Sequence, residues 1–212
     1  MFSWKSVLIT IVAIFALKIW NPYFVENISW SWFDYLHQQQ GEFYVDDIVL
    51  VDIDEKSLET FGQYPIRRGI YRDILLNTHY SNTHLFSTLF SESDRDPSQD
   101  NLFAEGLVNR LTILGAAPTI QKDTGALPFV GNSTFGGGDA KNWLWNFTGI
   151  VQPIPILAKN TYGIGVVTAT PAVTGTPNFD GTTRSVPLMV TANGQVYPCL
   201  LYTSDAADDL LC

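Results

Sequence analysis

The sequence predicts an α/β domain, a mixed sheet with flanking helices, preceded by one N-terminal transmembrane helix. Three observations carry this. An almost unbroken apolar run, Val7 to Leu17, opens the chain. From Asp47 to Ala116, short apolar runs alternate with segments whose apolar residues recur at helical spacing, the pattern of strands and helices packed as layers. Near the end, Asn193-Gly194 separates two strand-like segments, a strong short-range hairpin signal, so strands pair locally there.

Taken in order, the first element is the expected anchor. Counting on through Trp20 and Phe24-Val25 gives roughly the ~20 residues a spanning helix needs, with Lys18 near enough to the far end to reach the interface beside Trp20 and Tyr23. No small-x-small cleavage site follows the apolar run, so the segment is expected to stay attached. Lys5 before the span and an acidic chain after it place the bulk outside the cytoplasm under the positive-inside rule. The expected organisation is residues 1–5 cytoplasmic, 6–25 spanning the membrane and 26–198 an extracytoplasmic domain. Residues 199–212 form a tail that resembles an in-frame translation of a transposon-end adaptor and is expected to be non-native, with the natural gene continuing beyond it.

The aromatic segment from Ser29 to Leu36 suits a membrane-interface belt or a packed stalk. The stretch from Asp47 to Ile53 reads as a buried strand ending in Asp52 and Asp54. A helical turn from Ser57 to Phe61 is closed by Gly62. A helix from Arg68 to Leu76 is expected to bury Ile70, Ile74 and Leu75, with Arg72 and Asp73 opposite. A strand from His84 to Phe90, a helix over Asp100 to Arg110 and a short buried strand from Leu111 to Ala116 follow. The Gly- and Asn-rich tract from Lys122 to Gly149 reads as a long loop of the kind that is usually functional. A short helix at Ile156 to Ala158, a strand at Gly163 to Val167, a turn at Asn178 to Gly181, and strands from Arg184 to Thr191 and Gln195 to Pro198 complete the list.

Composition removes several functional classes. The formal charge of −9 and the absence of a Lys/Arg cluster exclude a nucleic-acid surface. Both cysteines, Cys199 and Cys212, fall in the suspect tail, so neither a disulfide nor a thiolate metal site is inferred.

The chemistry concentrates at the end of the first predicted strand. Asp52 and Asp54 after an apolar run are the arrangement of Mg²⁺-dependent phosphotransferases that use Asp-x-Asp at a strand end. That chemistry usually has Thr or Val two residues on, where this chain has Lys56. The obvious downstream acidic pair, Asp208-Asp209, lies in the suspect tail. The same acids can cap the following helix or pair with Arg68 or Arg184. A third reading is sensing, with Asp52, Asp54 and Asp180 as oxygen donors to a metal ion or ligand, or Arg68 and Arg184 holding an anion. No residue is assigned a catalytic role, and metal and cofactor are left unassigned.

Three blocks now bear on this choice: Ile48 to Leu58 with Gly62-Gln63-Tyr64-Pro65 and Arg68; Leu89-Phe90 with Asp100; and Phe179 to Leu188 with Gly194 and Tyr197-Pro198. In this order they resemble the second type of CHASE domain, an extracytoplasmic sensory module of bacterial cyclases, histidine kinases, Ser/Thr kinases and diguanylate cyclases. One departure is Ser87, where the family usually carries an Asp ahead of its Ile/Leu-Phe pair. The resemblance implies a sensor for an unknown small-molecule or physical signal, anchored in the membrane and followed by further spans and a cytoplasmic output domain. A homodimer is expected by analogy, and the fragment itself is not an enzyme. The rivals are a periplasmic Mg²⁺-dependent phosphohydrolase using Asp52 and Asp54, and a structural cell-envelope interaction module.

Overall fold

The computed structural model describes residues 3–20, 23–41, 47–120, 144–167, 186–192 and 195–203. The chain divides into two compact units, Met1–Asp52 and Ile53–Cys212.

The first unit contains two helices, α1 (Trp4–Trp20) and α2 (Tyr23–Gln39). Apolar residues such as Leu8, Ile9, Val12, Ile14 and Phe15 are exposed along α1. Among the described residues no helix is long and apolar enough to cross a membrane. The expected span over 6–25 is therefore not seen as one helix. Asn21-Pro22 falls inside it, and proline both lacks an N–H and disfavours helical geometry in the residue before it.

The predicted strand over 47–53 is also corrected. Residues 48–54 carry no regular structure, and Ile48, Val49, Leu50 and Val51 are 74%, 81%, 91% and 63% exposed. An apolar run becomes a strand only when a neighbour supplies hydrogen-bond partners and cover, and periodicity cannot report whether one is present.

The second unit is mixed α/β. Its elements are α3 (Glu55–Phe61), α4 (Arg68–Asn77), β1 (Thr83–Leu89), α5 (Pro97–Leu107), β2 (Leu111–Thr119), β3 (Asn146–Phe147), β4 (Gly149–Val151), α6 (Pro155–Asn160), β5 (Gly163–Val166), β6 (Met189–Ala192) and β7 (Gln195–Pro198). Strands β1, β2 and β5 run parallel, with Thr83 opposite Leu111 and Ile113 opposite Gly163. The far end of β2 turns antiparallel against β4. A second sheet runs β3-β6-β7, antiparallel between β6 and β7. Those two strands flank the hairpin signal; its turn residues, Asn193 and Gly194, lie outside the described residues, as do the turn at 178–181 and most of the long loop.

Two apolar clusters hold this unit. One joins Tyr71 and Leu75 of α4, Phe103 and Leu107 of α5, Leu114 of β2 and Leu157 of α6, with Phe90 after β1. Its centre is aromatic: the rings of Tyr71, Phe90 and Phe103 lie 5.0 to 5.6 Å apart, a spacing at which tilted and edge-on pairs attract. The other joins Ala116, Ile150, Ile164 and Val166 with Val190, Ala192 and Tyr197 of the second sheet. Cys199 and Leu200, at the start of the suspect tail, are buried as well. A Cβ on Gly165 would lie 2.4 Å from the Leu200 Cα, so only glycine permits that approach.

The expected face of α4 needs revising. Its buried residues are Arg68, Tyr71 and Leu75, while Ile70 and Ile74 are half-buried. Counting aliphatic residues alone missed Tyr71, whose ring fills the centre of the core.

Candidate functional site

Arg68 and Asp100 are 5% and 4% exposed, the most enclosed charges among the described residues. Arg68 opens α4 and Asp100 lies in the first turn of α5. Each occupies the buried stripe of its helix at the same spacing: Arg68, Tyr71 and Leu75 on one, Asp100, Phe103 and Leu107 on the other. The packing that buries the aromatics thus also buries the two charges, facing each other.

The guanidinium Nε lies 3.5 Å from Asp100 Oδ1, an ion pair without a hydrogen bond at those atoms. Nη2 donates to the Glu92 carbonyl at 2.9 Å. The charge also sits over the Phe90 ring, 4.5 Å from its centroid, within cation–π range. Desolvation on this scale is costly, and here the opposite charge, the Glu92 carbonyl and the ring offset it although Nε itself makes no hydrogen bond.

The loop between β1 and α5 completes the network through its backbone. Asp94 Oδ2 accepts the Arg68 N–H at 3.0 Å, capping α4, whose own N-cap residue Arg67 makes no side-chain cap. Asp94 N–H donates to Asp100 Oδ2 at 3.0 Å, and Asp94 Oδ1 accepts the Asp96 N–H. Asp96 caps α5 by accepting the Ser98 N–H, and the hydrogen bonds from the Ser98 hydroxyl and then its N–H hold the carboxyl below the usual range. Gln99 Oε1 accepts from Gly69 N–H, where a Cβ would lie 2.6 Å from that oxygen. One loop, two helix N-termini and one ion pair are tied into a single latch.

The other predicted site residues fall elsewhere. Asp54 is the N-cap of α3, accepting from both the backbone N–H and the hydroxyl of Ser57. Those two bonds, backbone first, hold its carboxyl below the usual range. Asp52 is exposed. Asp180 and Arg184 lie outside the described residues. Among the described residues no three His, Cys, Asp or Glu side chains are placed to share a metal ion. An open depression of about 370 Å³ between α5 and α6, lined by Asn101, Glu105, Ile156 and Asn160 among others, includes none of the predicted residues.

Sequence reasoning offered two roles for Asp52 and Asp54, capping the next helix or pairing with Arg68 or Arg184; Asp54 takes the first, and Asp100 was not named as the partner of Arg68. The signal was present: a charged residue in register with the buried stripe of each helix needs an opposite charge nearby.

Both residues also belong to the blocks that resemble a known family. The CHASE2 domain matches residues 7–207, nearly the whole chain. No curated protein and no solved structure matches it. With the match spanning both units, the chain belongs to the CHASE2 domain family, a family of extracytoplasmic sensor domains.

Proposed function

We propose that the chain is the sensory part of a bacterial transmembrane receptor, held at the membrane by its N-terminal segment and relaying an unidentified signal to a cytoplasmic output domain. Membership of the CHASE2 family carries this reading. The Arg68 latch suits it, because a network joining two helix starts and a loop has few intermediate arrangements and favours switching between discrete packings. Asp52, Asp54, Arg68, Asp180 and Arg184 are the residues through which a signal would be felt, with Arg68 acting by release or tightening of the latch. A homodimer is the arrangement in which such a shift would reach the membrane.

Anchoring is supported by the character of α1. A helix apolar on every side is stable only where all sides are covered, and lipid covers all sides at once.

Two measurements test the reading. The natural gene downstream of the codon for Pro198 is expected to encode further apolar spans and a signalling domain; finding neither overturns it. Phosphate-ester hydrolysis with Mg²⁺ is expected to be absent. Metal-dependent turnover that is lost in Asp52→Asn would establish the phosphohydrolase instead.

A further inference from the structure

On α2, Ile28, Trp32, Tyr35 and Leu36 recur at i, i+4, i+7 and i+8, the spacing of one helical face. They are 66%, 61%, 51% and 47% exposed. The Trp32 and Tyr35 rings stack with centroids 5.6 Å apart, so the face presents a continuous aromatic surface rather than scattered side chains. Such a stripe needs an occupant, and three observations select one.

First, the stripe is built of Trp and Tyr, whose apolar rings carry a polar edge. These residues suit a boundary that is apolar on one side and wet on the other. Second, α2 contains no Lys or Arg, and its acids are Glu26 and Asp34. A partner recognised by positive charge on α2, such as an anionic lipid or an acidic peptide, has nothing to pair with. Third, α2 begins three residues after the end of α1, which from Val7 to Leu17 is apolar except for Thr10 and exposes those side chains. A chain that commits α1 to lipid delivers α2 to the surface of the same bilayer.

A second copy of the chain is the competing occupant, since Ile28, Trp32, Tyr35 and Gln39 also fit alternating coiled-coil seam positions. The flanking positions Ser29, Ser31, Leu36 and Gln38 lack the charges that set pairing in such seams, and Trp and Tyr fit poorly into their holes.

We propose that the Ile28–Trp32–Tyr35–Leu36 face of α2 docks on the water–lipid interface of an uncharged bilayer. The helix then lies along the membrane surface as an aromatic float rather than rising from it as a stalk. This rests on the anchoring reading above, and the test separates the two.

The full chain, grown with 5-fluorotryptophan, is placed in phosphatidylcholine nanodiscs, and its fluorine resonances are assigned by single Trp→Phe substitutions. A lipid carrying a nitroxide on its headgroup is then added. The Trp32 resonance is expected to lose at least half its intensity while that of Trp145 is unchanged, and Trp4 reports α1. Broadening of Trp4 without Trp32 overturns the docking of α2 and leaves the anchor standing. Broadening of neither overturns both. A Trp32 signal that escapes the label and changes with the protein-to-lipid ratio identifies a second copy as the occupant and also overturns the proposal.

Discussion

At the scale of single residues, the Arg68–Asp100 pair shows how a burial pattern can select a charge. Removing two ions from water costs several kcal/mol each, and the pair persists because the Glu92 carbonyl, the Phe90 ring and the Asp94 N–H also engage it. Losing one member leaves the other buried and unmatched. Arg68→Met and Asp100→Leu are each expected to cost about 3–5 kcal/mol in urea unfolding, while the double substitution costs clearly less than their sum. Additive costs would mean that the two groups do not interact and that the latch is held by its backbone bonds alone. Arg68→Lys retains the charge but loses the planar group over Phe90, and is expected to fall between wild type and Arg68→Met.

At the scale of elements, the alternation of strands and helices was legible because each carries its own periodicity. Helices α3, α4 and α5, and strands β1, β2 and β5, all fall near the segments the pattern marks. Cap chemistry was legible too, since Asp54 and Gly62 bracket α3 as helix-end rules require. What the pattern could not reveal is pairing between elements, such as Asp100 of α5 meeting Arg68 of α4. The junction of α4 with β1 is another such pairing. His84 of β1 reaches Thr78, the C-cap of α4, with Nε2 2.8 Å from the hydroxyl and 3.2 Å from the carbonyl oxygen. Its Nδ1 is buried without a partner. Protonation would place an unmatched charge there, so burial holds the imidazole pKa below the usual 6.5, and Arg110 adds to the effect against the bond to Thr78. The unfolded chain then binds the proton more readily. The contribution is fully present above pH 6.5 and is lost as the pH falls from there through the lower folded-state value. Thermal melts are expected to show this loss in wild type and a flatter profile in His84→Gln. Identical profiles would remove His84 as the source.

At the scale of the whole molecule, the two units differ in what they do with apolar residues. The second encloses them: Leu75, Phe90, Phe103 and Leu114 are fully buried. The first displays them along α1, on the aromatic face of α2, and in the run from Ile48 to Val51 at its end. The last case is the sharpest disagreement between pattern and structure, because four consecutive apolar residues before an acid are the usual mark of a core strand. Substitution separates the two descriptions. If the run is exposed as in the structure, Leu50→Asp exchanges one solvated side chain for another, and the free energy of unfolding should move by less than about 0.5 kcal/mol. Leu75→Ala provides the scale, since truncating a fully buried leucine typically costs about 2–5 kcal/mol. If the run instead lies in a sheet, Leu50→Asp buries an unpaired carboxylate and should cost at least as much as Leu75→Ala. Measuring both variants under the same conditions decides whether the stretch before Asp52 is a surface segment or a buried strand.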